Sequence, residues 1–268
     1  MRYKSSIGLN DITIANSSQI IGDIFFPPYK IKKLVFSNYF PKAKNQIFSH
    51  YTTLEALEGI IDSNGIWLTG LEKRFNEGEF NEFYKQNGME GYRKRKVNGI
   101  LLAESIVNKA YYISLVPKQV SNEAQQYLWN TFSKNAQGVK IEFSISNLKE
   151  PLKPRKIYYK QNGKIDLIAN MCQLAKKYHK LLVFKDISSA GFFQLKNSLS
   201  IENEIRILIK EDIAKNMGLI PFTPNGKSFK VIKLDLGKSD FGEIKILNIV
   251  PGKNCNLNEL DRIKKKMN

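Results

Sequence analysis

Histidine and cysteine are scarce in this chain, with two of each in 268 residues. Cys172 and Cys255 stand far apart and lack metal-ligand spacing. That excludes a disulfide framework and points to a reducing compartment. No apolar run approaches the roughly 18 residues of a membrane-spanning helix. The opening "MRYKSSIGLNDITIANSS" has no continuous apolar stretch of the kind a secretory leader carries. The expectation is a cytoplasmic protein with no membrane partner. "VPGKN" lacks the glycine–lysine pattern of a Walker loop. No carboxylate cluster with metal-ligand spacing and no second catalytic histidine supports a nuclease. There is no internal repeat and no low-complexity block.

Acid is scarce relative to base. Lys and Arg total 42 against 25 Asp and Glu, a formal charge of +17. The excess has two readings. One is an anionic partner such as nucleic acid, anionic lipid or a phosphate-rich ligand. The other is an ordinary basic protein from a lysine-rich, AT-biased genome. Hydrophobic residues at 42% and aromatics at 11% supply a real core. The length suits one large domain or two small ones.

Residues 1–45 read as an N-terminal extension, with a strand or two in "ITIANSSQIIGDIFF" and a break at Pro27–Pro28. Residues 46–268 read as the main domain. "IFSHYT" is a strand whose polar end begins at Ser49–His50. Thr52 or Thr53 caps a helix carrying Leu54, Leu57, Ile60 and Ile61 at helical spacing, and Gly65 ends it. "IWLTG" is a short strand. Residues 71–110 read as mainly helical, with "RKRK" (Arg93, Lys94, Arg95, Lys96) between two helical patterns. "AYYISLVP" is the clearest strand, with Tyr112 and Ser114 on one face and Tyr111 and Ile113 on the other. "NEAQQYLWNTFSKNAQG" is a helix, "VKIEFSI" and "KIYYK" are strands, and 163–182 is a helix with Leu167, Ile168, Met171, Leu174 and Ala175 on its apolar face. "IENEIRILIK", "FKVIKLDL" and "GEIKILNIVPG" add strands, and "NLNELDRIKKKMN" closes with a helix. Strands and helices follow no regular alternation, so the fold class expected is α+β rather than a doubly wound sheet.

Three features carry chemistry: His50-Tyr51-Thr52 after a strand, the strand Tyr111-Tyr112-Ile113-Ser114, and Glu202-Asn203-Glu204 opening a later strand. In this order they resemble the H-Y-E arrangement of the ADP-ribosyltransferases. The chain also resembles, over most of 47–265, a widespread bacterial family. Its landmarks are a hydrophobic-x-H/K-Y start, "FND" (here Phe75-Asn76-Glu77) and a Tyr-x-x-Ser strand. Then come "LW…aromatic…G" (Leu128, Trp129, Phe132, Gly138), Phe143, a tyrosine (Tyr158) and E-x-E-x-R (Glu202, Glu204, Arg206).

The resemblance implies a split, mostly antiparallel sheet that grips NAD as ADP-ribose donor, with no metal. His50, Tyr51 and Thr52 would contact the cofactor. Tyr112 would stack on nicotinamide, with Tyr111 as the alternative, beside Ser114; Asn76 suits ribose contacts. Cleavage of the nicotinamide–ribose bond builds positive charge on C1′, and a carboxylate near it in a water-excluded site stabilises that charge. Glu204 is the candidate for this role, and Glu202 for orienting or deprotonating the acceptor.

The bland alternatives stand beside these. His50 also suits a loop hydrogen bond, Tyr111 and Tyr112 suit core aromatics, and the two glutamates suit a salt-bridged strand edge with Arg206. Arg93–Lys96 suits a solvated face or a nucleic-acid path with Tyr92 and Phe83 stacking on bases. The expected activity is mono-ADP-ribosylation of RNA or single-stranded DNA by a toxin or anti-phage effector with a neutralising antitoxin partner. A protein (arginine) acceptor and a non-catalytic nucleic-acid-binding scaffold are the alternatives.

Overall fold

The computed structural model describes residues 13–14, 24–25, 28–44, 46–71, 79–159, 164–177, 179, 188–211, 219–222 and 229–267. They form two compact units, each interleaved along the chain: 1–41 with 72–108 and 158–197, and 42–71 with 109–157 and 198–268. The sequence suggested one boundary after residue 45. The compact units divide the chain after residues 41, 71, 108, 157 and 197.

Elements are numbered along the whole chain. The first unit holds a two-residue pair, β1 (Thr13–Ile14) and β2 (Ile24–Phe25), and helix α1 (Pro28–Tyr39). Helices α3 (Glu79–Gln86), α4 (Glu90–Lys94), α5 (Leu102–Val107) and α7 (Asp166–Lys177) follow. Strands β5 (Lys96–Val97) and β6 (Ile100–Leu101) pair across Asn98 and Gly99, both at positive φ (52° and 80°), the backbone that a two-residue hairpin turn demands. Aromatic rings hold this unit: Phe80 lies 4.4 Å from Phe192, and Tyr84 stacks on Tyr92 at 4.7 Å and 11°. Helix α7 buries Ile168, Ala169, Cys172 and Ala175 and leaves Leu174 half exposed, so its packed face is rotated from the expected stripe.

The second unit is α+β, with an antiparallel sheet at its centre. Its strands are β3 (Ile47–Thr52), β4 (Gly65–Gly70), β7 (Ala110–Pro117), β8 (Val139–Ser146), β9 (Arg155–Lys156), β10 (Ile205–Lys210), β11 (Leu219–Phe222), β12 (Phe229–Asp235), β13 (Gly237–Ser239) and β14 (Gly242–Pro251). The order is β11-β12-β4-β7-β3-β8-β14-β13, with β10 paired to β7 and β9, and every pairing is antiparallel. Helices α2 (Leu54–Asp62), α6 (Asn122–Phe132) and α8 (Leu257–Lys264) complete it. None of the described helices is long and apolar enough to cross a membrane.

One face of the sheet carries the core. Phe48, Ile113, Leu115, Ile141, Phe143, Ile207 and Ile209 pack there with Leu57 and Ile60 of α2. Thr53 caps α2, its side chain accepting from Ala56 N at 3.3 Å. The helix ends at Asp62 rather than at Gly65: Ser63 is its C-cap, and Gly65 already opens β4. At the start of β8 the chain needs glycine, because a Cβ on Gly138 would sit 2.0 Å from the Thr52 carbonyl oxygen. This contact sets where β3 ends.

Candidate active site in the split sheet

The site is made by the two neighbours of β7 parting from each other. One edge of β7 is covered by β10 from Ala110 to Leu115. The other carries β4 only at Tyr111–Tyr112 and β3 only at Val116–Pro117. The Ala110 carbonyl accepts from Leu71 N at 3.1 Å, which marks the β4 edge. Backbone groups alternate along a strand, so the Ser114 carbonyl faces this same edge, in the interval that neither β4 nor β3 covers. A part-buried carbonyl there needs a donor. His50 supplies it: Nδ1 lies 2.8 Å from Ser114 O. The carbonyl only accepts, so Nδ1 carries the proton and Nε2 is left as an acceptor. Burial lowers the imidazole pKa below its usual 6.5, partly opposed by this hydrogen bond. The ring is therefore neutral at pH 7. The structure extends β3 through Thr52, so His50 lies within the strand and not at its end.

Glu204 stands immediately before β10, its backbone carbonyl accepting from Ile157 N at 3.1 Å. Its carboxylate accepts from the Ser114 hydroxyl, from Arg206 Nε at 2.6 Å and from Arg206 Nη2 at 3.0 Å. Arg206 and Glu204 side chains are 2% and 3% exposed. The salt bridge anticipated as a surface strand edge is thus a buried one. The Arg206 guanidinium carbon in turn lies 5.0 Å from the centre of the Tyr112 ring.

Glu202 corrects the sequence reading. The two acids do not alternate along a strand: Glu202 ends a 3-10 turn (Asn197–Glu202), and Asn203 takes a left-handed φ of 47°. Asn tolerates that conformation better than most residues, and it breaks the extended backbone before Ile205 opens β10. Both carboxylates nevertheless reach one cleft. Tyr127 of α6 donates its hydroxyl to Glu202 Oε1 at 3.2 Å.

The cleft opens to solvent, and the space inside it is about 40 Å³. Its polar wall is Ser49, His50, Ser114, Glu202 and Glu204, and its apolar wall is Tyr51, Leu115, Val116, Leu128 and Phe132. Tyr51 packs edge-on to Trp129 at 4.9 Å, and burial, with the charge of Glu142, pushes its phenol up to about 12. The space inside the cleft is room for a few water molecules, so a larger group would extend into the open mouth. Among the described residues the wall has two carboxylates, two serine hydroxyls, the Tyr51 phenol and a neutral imidazole, and no cation. It suits a neutral or cationic group carrying hydroxyls or an amide, with any phosphate placed outside. Among the described residues, no group of three or more His, Cys, Asp or Glu is placed to hold a metal ion.

The remaining anticipated residues distribute as follows. Tyr111 is 4% exposed and belongs to the core with Ile113 and Leu115, which removes it from ligand contact. Alternation puts Tyr112 on the face of Ser114, where it covers Arg206 and not the cleft wall. Thr52 is buried, pairs with Val139 and does not line the cleft. Asn76 lies outside the described residues.

Arg93, Lys94, Arg95 and Lys96 run from the end of α4 into β5, in the first unit. Arg93 and Lys94 pair with Glu90 at 2.8 and 3.7 Å. Tyr92 and Phe83 are buried at 1% and 0% exposure, so neither ring is available to stack on a base. Ser49 and Tyr127 escaped the sequence reading because a strand serine and a helix tyrosine carry no local signal. Arg206 was legible as a salt-bridge partner and as the arginine of the E-x-E-x-R landmark.

Compared with protein-family models, with curated proteins and with solved structures, the chain matches none.

Proposed function

We propose that the second unit takes the nicotinamide–ribose end of NAD into the split cleft and transfers ADP-ribose to a nucleic acid, RNA or single-stranded DNA. The observation that carries this reading is the meeting of His50, Ser114, Glu202 and Glu204, distant in sequence, in one cleft. The order of the motifs along the chain supports it independently. In the transfer the bond from C1′ to nicotinamide breaks, a bond from C1′ to the acceptor forms, and the acceptor loses a proton. Glu204, held by Arg206 and Ser114, faces the positive charge that develops on C1′, and its fixed position avoids reorganisation during the reaction. Glu202 receives the acceptor proton. His50 Nε2, the free acceptor of a neutral ring, takes a ribose hydroxyl.

The net charge of +17 favours a polyanionic acceptor, and an unstacked base is the one that can reach C1′. Arg93–Lys96 is the proposed nucleic-acid contact. Modifying nucleic acid harms the host cell, so the proposal includes a neutralising partner protein. The place of Glu202 in the cleft favours a second reading, a protein arginine as acceptor.

The experiment is incubation with adenylate-labelled NAD and, in parallel, total RNA, single-stranded DNA and protein lysate. Label that nuclease removes and protease does not supports the proposal. Label that only protease removes moves the acceptor to protein. Absence of nicotinamide release with every acceptor overturns the enzymatic reading.

A further inference from the structure

Ser49 occupies the point at which the sheet divides. It is the last residue of β3 paired on both flanks, to Val116 of β7 and Glu142 of β8; from His50 onward β3 pairs with β8 alone. Directly paired residues share a face, so the neighbours of the Ser49 side chain on its own face are Val116 and Glu142. Val116 is apolar. Glu142 is engaged by Lys140 at 3.0 Å and Lys118 at 3.6 Å. The serine is 1% exposed, its hydroxyl has no hydrogen-bond partner among the described residues, and the residue lines the cleft beside His50 and Ser114.

A buried hydroxyl without a partner is unfavourable in the folded chain, and alanine or valine would fill the same strand position without that loss. The cleft is the side from which a partner can come.

We infer that Ser49 is a ligand-contacting residue, whose hydroxyl hydrogen-bonds a hydroxyl or carboxamide of the group bound in the cleft. The inference rests on the reading of the cleft as an NAD site, and it assigns one further contact to the nicotinamide–ribose end. A residue of this kind has an unusual signature. It contributes nothing to the stability of the free protein and contributes to the bound state. A structural serine does the reverse.

The test is Ser49→Ala in the full chain, with two readouts: thermal unfolding without ligand, and titration with NAD and, separately, with ADP-ribose. The expected result has three parts. Unfolding temperature is unchanged or raised without ligand. NAD affinity falls about 2- to 13-fold, the range of one net hydrogen bond. The fall for ADP-ribose is equal if the partner is a ribose hydroxyl and absent if it is the carboxamide; either result is consistent. Wild-type affinity for NAD retained in the variant would overturn the inference while leaving the NAD site standing. A clear drop in ligand-free stability would also overturn it, since it would mean that the hydroxyl has an internal partner. Failure of the wild-type protein to bind NAD would remove both readings, and the wild-type titration alone reveals that case.

Discussion

Arg206→Met isolates the electrostatic arrangement behind the cleft. Methionine keeps much of the apolar stem of arginine and removes the guanidinium. The Glu204 carboxylate, 3% exposed, then loses both charge-assisted bonds, at 2.6 and 3.0 Å, and retains the Ser114 hydroxyl. Removing one partner of a buried ion pair costs about 3–5 kcal/mol. At about 2–4 °C per kcal/mol for a large domain, the unfolding temperature should drop by roughly 6–20 °C. Replacing both partners, as Glu204→Gln with Arg206→Met, removes both charges of the pair and should recover about 2 kcal/mol or more of that loss. Urea unfolding of wild type, both single variants and the double variant, with equal slopes, completes the cycle. A loss below about 1 kcal/mol in Arg206→Met, or a double variant no more stable than it, would refute the assignment of Arg206 as the counter-charge that holds Glu204.

Other consequences can be checked separately. The depressed pKa of His50 means that the folded state favours the neutral ring; stability from this group is complete above about pH 6.5 and declines as pH falls through the lower folded value. His50→Gln should flatten the stability profile below pH 6.5, measured by urea unfolding; an unchanged profile would contradict the burial argument. Gly138→Ala forces a Cβ toward the Thr52 carbonyl at 2.0 Å, so it should destabilise by about 1–3 kcal/mol, read by calorimetry; a neutral effect would mean that β3 and β8 yield there easily. Replacing Arg93, Lys94, Arg95 and Lys96 by Ala should weaken single-stranded RNA binding and reduce the salt slope by up to about 3; a slope equal to wild type would place the polyanion contact elsewhere.

The sequence made the elements of the second unit largely legible, because each stated its own period. "VKIEFSI" alternates cleanly and is β8, and "AYYISLVP" alternates and is β7. The same alternation separated Tyr112 from Tyr111, but only the packing decided which face was inward: Ile113 and Leu115 join the core, and Tyr111 follows them. The route from Glu202 to Glu204 was not legible, since a single left-handed Asn203 turned an apparent strand into a turn. Proximity across the split was also beyond local reading. That His50 would meet Ser114, 64 positions later, follows from where β4 and β3 stop along β7, and register is a tertiary property. In the first unit, α1 buries Val35 and Phe36, with Phe40 just beyond its end. The interleaving of the two units has no local sequence signal at all.

The most direct measurement is nicotinamide release from NAD by wild type and by Glu204→Gln, with NAD affinity determined for both. The account predicts release by the wild type in the presence of single-stranded nucleic acid, loss of at least about 100-fold in the variant, and NAD binding retained by a folded variant. Release by Glu204→Gln at the wild-type rate would contradict it.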